Sequence, residues 1–199
     1  MICIVTALKE ELLPFLKIYK KDFTKEAIGE GSLYRSGNLH LLRAGLGRQR
    51  SQQTLALYLE SHQPDFVLNL GLAGALSPQA QIGKIYHVEQ VRSEYDDDPV
   101  ELSVHRAFSS LPAAALLSVE EAVTGKERRD ALYNQYKTAL VDMEAYGLAR
   151  TARNYRVEFY SLKIVSDFAD EEAVETVRKQ YKILCDTLAR FVIKSWGDW

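Results

Sequence analysis

An α/β fold of three layers, a central mixed and twisted sheet flanked by helices, is what this 199-residue sequence predicts. Three observations carry it. Short apolar, β-branched runs alternate with helical patterns from one end to the other, as expected when helices cover both faces of a sheet. The run Phe66-Val67-Leu68-Asn69-Leu70 is almost continuously apolar, like a strand buried on both faces. No repeat, low-complexity tract or Pro-rich linker divides residues 1–199, so a single domain is expected over the whole chain. With 47% hydrophobic and 26% charged residues, the chain can bury one sizeable core without disulfides or metal.

Along the chain, Ile2 to Ala7 reads as a strand, and Lys9-Glu10-Glu11 opens a helix with Leu12, Leu13, Phe15 and Leu16 on its apolar face. Ser32 to Arg35 and Leu39 to Arg43 form a hairpin around Ser36-Gly37-Asn38. Gly45-Leu46-Gly47 leads into a helix through Glu60. The strand at Phe66 to Leu70 ends in Gly71-Leu72-Ala73-Gly74, read as a Gly-rich loop at a strand's carboxyl end, where ligands bind in such sheets. Gly83 to Val91 is a strand, and Ser93 to Pro99, with Asp96-Asp97-Asp98, a solvated loop. Ala113 to Val119 is a strand, and Lys126 to Tyr136 a polar helix. Ala139 to Met143 ends a strand and passes into a helix from Glu144 to about Asn154, on which Tyr146 and Tyr155 are read as packing residues. Phe159 to Val165 is the last strand, delivering Ser166-Asp167. Glu171 to Trp196 is a long amphipathic helix that should pack on the sheet.

Composition narrows the function classes. A net charge of −2 with both signs interspersed provides no field for nucleic acid, so a small molecule is the expected partner. The N-terminal apolar run meets Lys9-Glu10-Glu11 too soon for a signal core or a membrane span, and a cytoplasmic protein is expected. Cys3 and Cys185 lie in apolar stretches and read as buried thiols. His40, His62, His87 and His105 are dispersed with no i, i+4 pair, so neither a metal nor a cofactor is expected. Trp196 and Trp199 are read as helix packing or a subunit contact.

Three carboxylates remain as candidates for chemistry: Glu11, Glu144 and Asp167, each where a strand gives way to a helix. Such positions converge on one edge of a twisted α/β sheet. Each alone is more simply a helix cap, because a carboxylate there satisfies free N–H groups and complements the helix dipole.

The surrounding segments change that weighing. Thr6-Ala7-Leu8-Lys9-Glu10-Glu11, Gly45-Leu46-Gly47, Asn69-Leu70-Gly71-Leu72-Ala73-Gly74, Val141-Asp142-Met143-Glu144-Ala145 and Val165-Ser166-Asp167-Phe168-Ala169-Asp170 occur in that order. With them the sequence resembles the nucleoside phosphorylase and nucleosidase superfamily, above all its methylthioadenosine/S-adenosylhomocysteine nucleosidase type. The resemblance implies cleavage of the N-glycosidic bond of a purine nucleoside-like substrate through an oxocarbenium-like state. It implies Asp167 as the acid at the base, oriented by Ser166, and Glu11 as the base that polarises water. Glu144 would hold the ribose hydroxyls, with Met143 beside it. Lys163, Gly71 and Asn69 complete the implied substrate-binding set, and a homodimer or larger homo-oligomer is implied as well.

The departures from the family's pattern are specific. Lys163 stands where nucleosidases commonly place an arginine, and Leu72 removes a small polar contact. Leu117 to Val123 resembles the base-pocket strand but offers no aromatic residue for stacking. A phosphate pocket looks incomplete, since neither Arg nor Ser/Thr stands in the loop after the central strand, which favours water as acceptor. Arg43, Arg48 and Arg50 read as an exposed basic cluster. A phosphate-dependent phosphorylase and a nucleoside-binding relative without turnover are the alternatives.

Overall fold

A computed structural model describes residues 1–19 and 22–196. In chain order the elements are β1 (Ile2–Thr6), α1 (Lys9–Ile18), β2 (Thr24–Ile28), β3 (Gly31–Ser36), β4 (Leu39–Arg43), α2 (Arg48–Ser61), β5 (Phe66–Ala75), β6 (Ile85–Ser93), β7 (Asp96–Glu101), β8 (Ala113–Ser118), α3 (Lys126–Tyr136), β9 (Leu140–Asp142), α4 (Ala145–Asn154), β10 (Glu158–Asp167) and α5 (Ala173–Trp196).

These strands form one mixed sheet. β1 lies between β4 and β5, parallel to both, and β10 runs parallel to β5 on the far side. β4, β3 and β2 continue outward as an antiparallel edge. Beyond β10 the sheet curls: β10 pairs with β6, β6 with β8, β8 with β9, and β9 returns to β5 at Gly74 and Ala75. The five strands close into a ring, and the carboxyl ends of β5, β9 and β10 meet at its rim.

Helices cover both faces, giving the expected three layers. On one face Leu12 and Phe15 of α1 and Leu184, Leu188 and Val192 of α5 pack against Ile4, Leu68, Leu162 and Ile164. On the other, Leu55 and Tyr58 of α2 and Leu148 and Ala152 of α4 pack against Cys3, Val5, Val67 and Val165. Alternate residues of one strand thus point into two cores, which is why these runs are apolar without a gap. Cys3 and Cys185 are free and buried as expected, and burial pushes both thiols up to about 12. Trp196 stacks on Phe66 with ring centroids 5.1 Å apart, a packing role; Trp199 lies outside the described residues. No helix among the described residues is long and apolar enough to cross a membrane.

Several local expectations differ. The segment 71–74 is not a loop but the second half of β5, pairing with β10 from Lys163↔Gly71 to Asp167↔Gly74. The acidic run is strand β7, paired with β6, and its Asp98 carboxylate receives Arg150 at 2.8 Å and Arg153 at 2.7 Å. β2, with most of its residues exposed, carries no apolar alternation and was not foreseen. Tyr146 is buried as expected, but Tyr155 is 39% exposed and reaches Glu60 rather than the core.

Candidate active site

At the rim of the strand ring lies a cavity of about 350 Å³ whose walls include Glu11, Met143, Glu144, Ser166 and Asp167. Each acid arrives on a different element. β1 ends at Thr6, and Glu11 stands in the first turn of α1 with its side chain folded back over the junction. Its Oε2 accepts the N–H groups of Ala7 at 3.0 Å and Leu8 at 2.9 Å, and its Oε1 accepts the Leu72 N–H at 3.2 Å from β5. Glu11 therefore caps α1 and faces the cavity at once. Burial raises its pKa, while the Leu8, Leu72 and Ala7 amides and the Lys163 ammonium pull the other way.

Glu144 immediately precedes α4, and its Oε1 accepts the Gly47 N–H at the start of α2 at 2.7 Å. Burial raises its pKa first, and the nearby Asp142 charge adds to the rise. Asp167 ends β10. Its Oδ2 lies 2.6 Å from the Ser166 hydroxyl, and its Oδ1 accepts the Ala169 N–H at 2.8 Å. That second contact requires Ala169 at φ 51°, in the left-handed region that a Cβ disfavours at a cost of about 1 kcal/mol or more. Burial raises the Asp167 pKa against both hydrogen bonds, so a proton is held more firmly than on an ordinary aspartate.

Three of the expected site residues stand elsewhere. Asn69 is fully buried between strands, with Oδ1 accepting the Ser161 hydroxyl at 2.9 Å, and does not line the cavity. Lys163 is also buried, 2.8 Å from Asp142, beneath the cavity rather than in its wall. Gly71 serves by lacking a side chain: a Cβ there would lie 3.0 Å from Glu11 Oε1 and 3.2 Å from Lys163 Nζ. Both neighbours are fixed by other contacts. Gly71→Ala is accordingly expected to displace Glu11 and lower kcat about 10- to 100-fold, read by steady-state kinetics beside a thermal melt.

Sequence reasoning missed Asp142 at the end of β9, which lines the cavity and binds Lys163. The signal was present, since a lysine within the apolar strand Phe159 to Val165 needs a buried carboxylate partner. It also missed Ala173, Val174 and Val177, which wall the cavity from the first turns of α5. The base-pocket segment contributes Val119, Ala122 and Val123, and none of the lining residues is aromatic, as anticipated. Nor is any of them Lys or Arg, whereas four are carboxylates. The three arginines near Gly45 are engaged outside: Arg43 donates to the Glu30 carbonyl, Arg48 pairs with Glu120, and Arg50 with Glu30.

Comparison with known proteins places this geometry in context. The sequence profile of the phosphorylase superfamily matches residues 1–119 and 112–195. The chain is 26% identical over 203 aligned residues to the 5′-methylthioadenosine/S-adenosylhomocysteine nucleosidase of Staphylococcus epidermidis, covering 87% of this chain and 89% of the relative. Among solved structures it is similar to the corresponding nucleosidase of Helicobacter pylori bound to butyl-thio-DADMe-Immucillin-A, with a TM-score of 0.91 and 21% identity over 98% of this chain and 96% of that one. It is also similar to the futalosine hydrolase of Helicobacter pylori, with a TM-score of 0.89 and 23% identity over 98% and 95% of the two chains.

Proposed function

The chain belongs to the phosphorylase superfamily, and from that membership we propose that it hydrolyses the N-glycosidic bond of a purine nucleoside-like substrate of the methylthioadenosine/S-adenosylhomocysteine type. The observation that carries this reading is the lining of the cavity: Glu11, Asp142, Glu144 and Asp167 line it, and among the described residues no cationic side chain does. A phosphate dianion would find no guanidinium or ammonium among the described residues of the wall to receive it, since the one nearby ammonium, Lys163, is already paired with Asp142. Water carries no such penalty.

In this reaction the C1′–N bond lengthens and its electron pair withdraws into the base. Asp167 donates its proton to a ring nitrogen of the departing base, so the base leaves neutral. Glu11 accepts a proton from the water whose oxygen bonds to C1′, and proton exchange with solvent restores both carboxyl groups. Glu144 accepts hydrogen bonds from the ribose hydroxyls, and these strengthen as the ring of the oxocarbenium-like state becomes positive. Met143 and the α5 valines supply apolar wall. The 5′-methylthioadenosine/S-adenosylhomocysteine nucleosidase relatives support the choice of substrate class.

The reading is tested by following base release from methylthioadenosine, S-adenosylhomocysteine, adenosine and inosine in phosphate-free buffer. Turnover of at least one without phosphate is expected; turnover that appears only when phosphate is added would replace the hydrolase with a phosphorylase. Binding without release under both conditions would identify a relative that has lost turnover. We propose further that the protein assembles as a homodimer or larger homo-oligomer, because Leu8, Leu46 and Val174 at the cavity rim are 39%, 51% and 66% exposed, an apolar fringe that a second copy would cover.

A further inference from the structure

From the cavity wall at Asp142 back to Lys163 runs a charge pair that the reaction steps leave unused. The side chains of Lys163 and Asp142 are each 2% exposed, with Nζ and Oδ2 2.8 Å apart. Taking both ions out of water costs several kcal/mol per ion, so the pair contributes little to folding by itself. Its position is more informative. Lys163 precedes Asp167 by four residues on β10, and Asp142 precedes Glu144 by two at the end of β9. A Cβ at Gly71 would stand 3.0 Å from Glu11 Oε1 and 3.2 Å from Lys163 Nζ, closer than ordinary van der Waals contact, so both groups crowd the same point beside β5. Asp142 also accepts the Ala145 N–H at 3.0 Å and the Ser118 hydroxyl, and the Ser118 oxygen accepts the Tyr146 N–H at 2.9 Å. One carboxylate thus ties β8, β9 and β10 to the first turn of α4, the turn that Glu144 precedes.

We propose that Asp142 and Lys163 are positioning residues for the hydrolysis described above, a buried ion pair that anchors the first turn of α4 next to Glu144 and places an ammonium beside Glu11, and so sets the charge that both glutamates face. The proposal rests on the hydrolase reading of the cavity. The charged groups that face Lys163 are Asp142 from β9, Glu144 before α4 and Glu11 from α1; Cys185 of α5 faces Glu11. The ammonium favours the ionised form of both glutamates, and Asp142 opposes ionisation of Glu144. Removing one partner therefore shifts the field at the cavity in one direction, and removing the other shifts it in the opposite direction.

The experiment compares kcat/KM for base release against pH in wild type, Asp142→Asn, Lys163→Met and Lys163→Arg, with a thermal melt of each. Asparagine matches aspartate in size and still accepts the Ala145 N–H, but it leaves the buried Lys163 ammonium without its charge partner, so this variant is expected to melt lower than wild type, and kcat/KM is read well below that melt. The acid limb of the profile is expected to move down by about one pH unit in Asp142→Asn, up by about one unit in Lys163→Met, and to stay in place in Lys163→Arg. If Lys163→Met does not fold, a lowered limb in Asp142→Asn with an unmoved limb in Lys163→Arg supports the proposal. Limbs that stay put while rates fall, or that move in the same direction in both charge-removing variants, would overturn it and leave a structural pair. A wild type that releases no base from any nucleoside would instead overturn the hydrolase reading, and this proposal with it.

Discussion

Asp167→Asn is expected to lower kcat for base release by about 10²- to 10⁴-fold while KM changes little. Asparagine keeps the size of aspartate and can still meet the Ser166 hydroxyl and the Ala169 N–H, the two groups that hold Asp167 at 2.6 Å and 2.8 Å. What it lacks is the acidic proton. Because burial raises the Asp167 pKa, the wild-type carboxyl can carry that proton into the site. The same burial makes the ionised form costly to the fold, so the variant should melt no lower than wild type. A rate loss with an intact melt is the signature of an acid. Retention of activity within about threefold would remove Asp167 from that role.

Glu11→Gln is the second large effect, a loss of about 10²- to 10⁴-fold in kcat. Here stability should change as well. Glu11 accepts three backbone N–H groups, two on Oε2 and one on Oε1. An amide can present its oxygen to one side only, so its NH₂ group would confront at least one of these donors, at a cost of about 1–3 kcal/mol. The kinetic loss must exceed what unfolding explains, and kcat measured well below the melting transition separates the two. If Glu11→Gln lowered only the melting temperature, Glu11 would be a helix cap and nothing more.

Those two residues were legible in the sequence through the segments around them, which match a known family; each carboxylate alone reads more simply as a helix cap. The three layers were legible for a different reason: strands buried on both faces are apolar throughout. Gly71 and Gly74 misled, since glycine after a strand reads as a loop. In the fold they remain strand because side chains from elsewhere occupy the space where a Cβ would be; at Gly74 it would lie 3.2 Å from Asp167 Oδ1. The family resemblance placed Asn69 and Lys163 in the site, but each is satisfied by a partner distant in sequence, Ser161 and Asp142. Such pairings depend on which strands become neighbours. The closing of β5, β10, β6, β8 and β9 into a ring is of the same kind: no local pattern records that a three-residue strand such as Leu140–Asp142 joins two longer ones.

The most direct measurement is the identity of the sugar product when turnover proceeds in the presence of saturating inorganic phosphate. A cavity lined by four carboxylates and, among the described residues, no cation is expected to yield free base and free reducing sugar in equal amounts, at a rate that phosphate does not raise. Recovery of a sugar 1-phosphate would contradict this, because it would mean that a dianion reaches C1′ through a wall that, among the described residues, has no positive side chain to hold it.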